Sequence, residues 1–309
     1  MPAITQLHQI DLHGGHITKP RWSSDGRFLA LPTQSGSIAI FDIESEQITQ
    51  TLGPHSGEVT AVAWDRKAQF ILAASLDRSV GLWEVKSGQR APFKASGHKE
   101  PVHSVEWTDE EAYAMTCSSD RVRALDGYCL LSGWTEEMEN AVNGHTGFTT
   151  ASCSYRTTFL LGIIAENGSV LLLTSLLSAA LLDSVRMREP ARCIAWSPAD
   201  EVLAVATGQS ILLFRATQEG FDGPARVLTG RSPQVKALAF SGDGTLLASH
   251  DSDGLKVWEV ESAKLIAELS NKCPNPGIAF HPTRSLLAAV TSSGTAFRLL
   301  ALSAIGGTQ

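Results

Sequence analysis

An aromatic anchor returning every 40–46 residues, short apolar runs of β type between anchors, and turn dipeptides joining the runs together predict an all-β fold. The expected architecture is a seven-bladed β-propeller of four-stranded antiparallel blades. It is expected to form one domain over residues 1–309, its ring closed by the N-terminal strand. The anchors are Trp22, Trp64, Trp107, Cys153, Trp196, Phe240 and Phe280, the cysteine being the loosest match. Successive spacings of 42, 43, 46, 43, 44 and 40 residues fit the length of one blade.

Each anchor closes a first run, as in Ala61-Val62-Ala63-Trp64. A second run follows, as in Phe28-Leu29-Ala30-Leu31, Ile71-Leu72-Ala73-Ala74 and Val202-Leu203-Ala204-Val205. A third ends on Ile40-Phe41-Asp42, Leu82-Trp83-Glu84, Leu213-Phe214-Arg215 or Val257-Trp258-Glu259. Between them stand Asp25-Gly26, Ser35-Gly36, Asn167-Gly168, Asp243-Gly244, Asp253-Gly254 and Ser293-Gly294, which supply the positive φ that tight hairpins need. No stretch keeps a 3.6-residue apolar period long enough to predict a helix. Residues 4–10 resemble the outer run at residues 47–52, and the final run at 295–302 has no fourth strand after it. The N-terminal segment is therefore expected to complete the last blade and leave no open sheet edge.

With 43% hydrophobic and 18% charged residues, the chain can bury a sizeable core, which excludes general disorder. A net charge of −7, from 32 acidic and 25 basic side chains, argues against a nucleic-acid surface, which is basic as a rule. The five cysteines, Cys117, Cys129, Cys153, Cys193 and Cys273, form no Cys-x-x-Cys pair. They read as buried free thiols rather than as a disulfide framework or a zinc site. The N-terminus lacks the basic start and apolar stretch of a secretory signal. Residues 170–182 are apolar over 13 positions, short of the ~20 a bilayer helix needs, and read as two strands and a turn. A soluble, cytoplasmic protein without a membrane segment is expected.

Catalytic signatures fail one by one. There is no Gly-x-Ser-x-Gly elbow, no His-Glu-x-x-His and no Gly-x-x-x-x-Gly-Lys-Ser/Thr. His13-Gly14-Gly15-His16 lies in a turn and lacks the further ligands of a metal site. Asp251-Ser252-Asp253-Gly254 lacks the terminal Glu of a calcium loop and reads as a hairpin turn. The expectation is a non-enzymatic protein with no cofactor and no metal.

These repeats resemble the WD-repeat family, in which a His, a Ser or Thr, a turn Asp and a Trp form a buried hydrogen-bonded set within a blade. Such a set persists because each buried polar group finds a partner, which fixes the strands relative to one another. The resemblance assigns His55, Asp77 and Trp83 to that set in the second repeat, with Ala61 in the Ser/Thr slot. In the third repeat it assigns His98, Ser104 and Asp120, with Leu125 replacing the Trp. The fourth keeps His145 and Thr150, with Asn167 near the Asp slot and Leu173 replacing the Trp, and the last three lack the His.

The resemblance also implies a partner-binding ring at one channel mouth: Thr18, Thr60, His103, Thr149, Arg192, Lys236 and Pro276. Gln34, Leu76, Ser119, Glu166 and Ser252 add to it from the turns. His103, Arg192 and Lys236 make part of this ring positive in an acidic protein, which points to an acidic or phosphorylated ligand. Trp134 falls off the repeat register beside an acidic run and reads as packing over a shortened blade or as an exposed anchor. The implied function is a non-catalytic interaction scaffold or adaptor, a subunit of a larger complex that binds protein or peptide partners. The alternatives are a regulatory sensor for an acidic or phosphorylated ligand and a propeller enzyme of lactonase or quinoprotein type.

Overall fold

The two ends of the chain share one sheet. The computed structural model describes residues 4–12, 15–92, 98–107, 113–120, 122–126, 134–135, 148–153, 160–165, 167–173, 181–208, 210–229, 234–270 and 272–302; its sheets are antiparallel throughout. Strand β1 (Ile4–Asp11) precedes the first repeat, β2 (Arg21–Trp22), β3 (Phe28–Pro32), β4 (Ile38–Asp42) and β5 (Gln47–Leu52). The second repeat holds β6 (Val59–Trp64), β7 (Phe70–Ser75) and β8 (Val80–Glu84). The third holds β9 (Val102–Trp107), β10 (Tyr113–Ser118), β11 (Val122–Asp126) and the short β12 (Trp134–Thr135). The fourth holds β13 (Phe148–Cys153), β14 (Leu161–Ala165), β15 (Ser169–Leu173) and β16 (Leu181–Arg186). The fifth holds β17 (Ala191–Trp196), β18 (Val202–Thr207), β19 (Ser210–Thr217) and β20 (Gly220–Thr229). The sixth holds β21 (Ala237–Phe240), β22 (Leu246–His250), β23 (Gly254–Glu259) and β24 (Lys264–Ser270). The last holds β25 (Ile278–Phe280), β26 (Leu286–Val290) and β27 (Ala296–Leu302).

The expectation of seven four-stranded blades is corrected by this topology. Six sheets have four strands, and the second repeat forms a three-stranded sheet, β6–β7–β8. Among the described residues, the chain after β8 returns for a bridge between Trp83 and Arg90, with the Ala91 amide donating to Leu82 O at 2.8 Å. Pro92 then has no N–H with which to extend a ladder. The result is a propeller of six complete blades, with the three-stranded sheet standing between the first and third repeats.

The inner strands are neighbours in the cyclic order β2, β6, β9, β13, β17, β21, β25 and back to β2, so they line a central channel. The expected closure is present. β1 pairs with β27 from Ile4↔Leu302 to Asp11↔Ala296, with one slip between Gln6 and His8. Across this seam Trp22, Leu29 and Phe41 of the first repeat pack with Ala288, Val290 and Phe297 of the last. The Phe41 and Phe297 rings meet edge to face at 5.2 Å. The same sheet-on-sheet packing recurs between repeats, as where Ile38 and Ile40 meet Val62, Trp64 and Ile71.

Local sequence explains the turns. In three repeats the residue after the anchor caps the turn that follows: Ser23 Oγ accepts from the Phe28 amide at 2.9 Å, Asp65 Oδ1 from Phe70 at 2.6 Å, and Ser241 Oγ from Leu246 at 2.9 Å. In the last repeat His281 does this work, its Nδ1 accepting from the Thr283 and Arg284 amides at 3.2 and 3.0 Å. Gly26 must be glycine for two reasons. Its φ is +74°, and a Cβ there would lie 2.3 Å from His281 Cε1.

Candidate binding sites in and around the channel

The expected mouth ring falls on a recurring irregularity. In β6 the pairing steps from Val59↔Ser75 to Ala61↔Ala74, leaving Thr60 unpaired. His103, Thr149 and Arg192 are skipped in the same way in β9, β13 and β17. A bulge of this kind re-aims one side chain out of the ladder, and bulges concentrate at rims and binding sites.

The side chains so aimed do different things. Thr18 Oγ1 donates to Val59 O at 2.8 Å and Thr60 Oγ1 to Val102 O at 2.7 Å, each binding the next repeat. Thr149 Oγ1 stays on its own sheet, 3.5 Å from Ile164 O. His103 Nε2 lies 3.0 Å from Ser119 Oγ. Lys236 is exposed and its Nζ donates to Pro274 O at 3.0 Å in the last repeat. Arg192 is exposed and makes no hydrogen bond or ion pair among the described residues. Because β17 and β21 are neighbours, Arg192 and Lys236 form the positive part of the rim, and His103 stands two repeats from Arg192. Pro276 is buried; Gln34 and Ser252 are exposed; Leu76 is 41% exposed, unusual for leucine; Glu166, like His13 and Cys129, lies outside the described residues.

Within the repeats, His55 Nδ1 lies 3.1 Å from Asp77 Oδ2 and its ring meets Trp83 edge to face at 5.0 Å. Burial pushes the Asp77 carboxyl up, but the Ser79 hydroxyl and amide, the Ser56 amide and His55 outweigh it and hold the pKa at about 2. In the third repeat His98 Nδ1 lies 2.7 Å from Asp120 Oδ1 and Nε2 lies 2.9 Å from Thr116 Oγ1. The placement of Ser104 in this set is therefore corrected: Thr116, on β10, fills the slot. Ser104 instead accepts from the Ala151 amide at 3.1 Å, joining the third repeat to the fourth. The matching place in the second repeat is Ala73, not Ala61, because it follows His55 by the same 18 residues that separate Thr116 from His98. His55 Nε2 accordingly meets no side-chain hydroxyl among the described residues.

A second site, which the sequence reading missed, lies at the other end of the channel. A cavity of about 290 Å³ opens there, lined by Arg21, Glu106, Ser152, Ile194, Leu238 and Ile278 among others. The position before each anchor reads Arg21, Ala63, Glu106, Ser152, Ala195, Ala239 and Ala279, so two charges and a hydroxyl interrupt a column of alanines. Arg21 Nη2 stands 3.8 Å from Glu106 Oε1, and the Ser152 hydroxyl lies 3.2 Å from both Glu106 oxygens. Lys19 lies two residues before Arg21 and is exposed. Loss of hydration pushes its ammonium pKa down, with Cys193, Cys117 and Glu106 pulling upward. That polar break in the alanine column was the available signal.

Cys117, Cys193 and Cys273 are free thiols. Desolvation raises Cys117 and Cys193 to about 12, which leaves almost no thiolate near neutrality. Among the described residues no group of three His, Cys, Asp or Glu side chains is placed to hold a metal.

Residues 4–67 and 194–281 match the family model for the Anaphase-promoting complex subunit 4 WD40 domain. No curated protein matches the chain. Among solved structures, the crystal structure of the Myceliophteria thermophila Cps50 (Swd1) β-propeller domain is similar with a TM-score of 0.81. The match covers 97% of this chain and 100% of that one, at 19% sequence identity. Similarity at that level carries the fold and leaves function to the site.

Proposed function

We propose that this chain, which belongs to the WD-repeat β-propeller family, is a non-catalytic interaction scaffold, a subunit of a larger complex that binds protein partners at the mouth of its channel. The observation that carries the reading is Arg192. It sits on a bulge of a rigid inner strand, exposed and without a partner among the described residues, beside Lys236. Leu76, 41% exposed on the same rim, adds an apolar contact. Rigid sheets presenting adaptable rim residues suit recognition, because little ordering entropy is lost on binding.

The matching family model describes a subunit of a named complex, which supports the same reading. Thiols at about 12 make poor nucleophiles, which supports a non-catalytic role. Among the described residues no helix is long and apolar enough to cross a membrane. The Arg192–Lys236 pair favours a partner segment that is acidic or phosphorylated. Affinity capture from the native source tests the reading with the double variant Arg192→Glu, Lys236→Glu. Loss of partners captured by the wild type, with melting unchanged, is expected; identical capture by both proteins overturns it.

A further inference from the structure

At the ends away from the channel mouth, the fifth and sixth sheets do not close on each other. Val202, Arg215 and Asp222 pair directly across β18, β19 and β20, and Leu213 pairs with Arg226 nearer the mouth. Side chains so paired share one face of the fifth sheet. That face packs on the sixth repeat, since Leu213 lies in one core cluster with Phe240, Leu247 and Trp258. Between Leu213 and Arg215 the pairing with β20 slips, and from there outward a groove of about 960 Å³ stands between the two sheets. Val202, Leu213 and Val260 give it an apolar lining. Asp200, Glu201 and Asp222 of the fifth repeat and Asp243, Glu259 and Glu261 of the sixth line it too. Six carboxylates against two guanidiniums, Arg215 and Arg226, leave a net charge of −4. Arg226 is engaged elsewhere, its Nη1 donating to Glu261 O at 2.9 Å. The side chains of Asp222, Glu261 and Arg215 make no hydrogen bond or ion pair among the described residues.

We propose that the groove between the fifth and sixth repeats docks an extended basic segment of a partner protein, its Lys or Arg side chains set against Asp222 and Glu261 and its apolar side chains resting on Val202 and Val260. The chemistry of the lining selects this occupant. Among the described residues no three of the carboxylates converge to hold a metal ion, so the negative charge is spread along the opening. Spread charge suits a chain that carries several cations, and it repels an acidic peptide or a nucleic acid. An extended segment turns alternate side chains to opposite sides, which lets cations and apolar groups meet different parts of one groove. The volume is at the upper end for ligand pockets, large enough for a stretch of chain. Asp222 and Glu261 are exposed, so a cation paired with them keeps part of its hydration and little desolvation opposes binding. The groove opens on the face opposite the rim that carries Arg192 and Lys236. The two surfaces therefore take partners of opposite charge, and neither reading rests on the other.

Fluorescence anisotropy of a labelled peptide of four Arg-Val repeats, titrated with the full chain, tests the proposal. Saturable binding is expected, with four Arg-Gly repeats weaker because they gain nothing from Val202 and Val260, and four Glu-Val repeats not bound. The double variant Asp222→Lys, Glu261→Lys should weaken the Arg-Val peptide by about tenfold, since each change turns an attraction into a repulsion. Glu44→Lys with Glu46→Lys alters the net charge equally on the first repeat and, at physiological salt, should leave affinity within about twofold. Arg215→Gln should tighten binding, because a competing cation is gone; damage to the fold would only weaken it. Should the groove double variant not fold, Arg215→Gln carries the test, since Arg215 has no bond to lose. No saturable binding of the Arg-Val peptide, equal losses in the two double variants, or weaker binding by Arg215→Gln would each overturn the proposal. So would a wild-type chain that self-associates in sedimentation and becomes monomeric with Asp222→Lys, Glu261→Lys, since the groove would then hold a second copy.

Discussion

The indole Nε1 of Trp64 donates to the carbonyl oxygen of Arg21 across 3.0 Å, tying the second repeat to the first at the floor of the channel. Trp22 does the same to Ala279 O at 3.1 Å and Trp196 to Ser152 O at 2.8 Å, each reaching one repeat back. Trp107 Nε1 is buried and has no such acceptor. Replacing Trp64 by Phe should therefore cost about 0.5–1.5 kcal/mol beyond the cost of the smaller ring, the net worth of the lost hydrogen bond. Trp107→Phe should lack that extra cost. Urea unfolding midpoints of the two variants check it; equal losses would mean the indole bond contributes nothing.

The third and second repeats differ in one hydroxyl. Thr116→Val should destabilise by about 0.5–1.5 kcal/mol, since it removes the buried bond between the Thr116 hydroxyl and His98 Nε2. Ala73→Ser should stabilise by about 0.5–1.5 kcal/mol by offering His55 a hydroxyl where Thr116 offers one to His98. Denaturant melts of both variants decide the matter, and a loss in Ala73→Ser would show that the equivalent position lies elsewhere.

Acid should weaken the fold in two steps. Burial, helped by Arg90, sets His55 below its ordinary 6.5 against the pull of Asp77, and burial with Arg284 does the same to His281. The unfolded chain then binds more protons than the folded one as pH falls below 6.5, so the stability present above that value is lost on the way down. Asp77, at about 2 against an ordinary 3.8, adds stability that is lost between those values. Urea midpoints from pH 8 to pH 3 should fall in both windows. His281→Asn keeps an acceptor for the turn amides and should flatten part of the upper step; a profile unchanged from the wild type would assign that step elsewhere.

Removing residues 1–11 should expose the edge of β27 along its length. Loss of cooperative melting or aggregation is expected, read by differential scanning and light scattering. Phe297→Ala should cost about 3–5 kcal/mol on the same seam, since it empties the edge-to-face contact with Phe41. An unchanged melting temperature in the deletion would mean that closure by β1 is not what holds the ring.

Much of this fold was legible in the chain. Hairpin turns at Asp25-Gly26 and Asp243-Gly244 were readable because positive φ is a local demand that glycine meets. The closing strand was readable because residues 4–10 repeat the pattern of an outer strand. The three-stranded second sheet was not, since the anchor spacing stays regular there. Thr116 was missed in favour of Ser104 because both lie on adjacent strands at plausible spacing from His98. Only the register, Thr116↔Val105, shows which one faces the histidine.

The sequence by itself determined the repeated strands, their turns and the closure, all of which follow from patterns between near neighbours. The tertiary structure alone decided what their side chains do. Arg21 and Glu106 stand in different repeats, as do Trp64 and Arg21, Lys19 and Cys193, and Thr60 and Val102. Such pairs meet only after the ring closes, and strand alternation says which face a side chain takes but not who waits across the channel. Closure therefore turned the column before the anchors into a charged cavity, and it left Arg192 exposed on the rim while binding Thr18 and Thr60 into the frame.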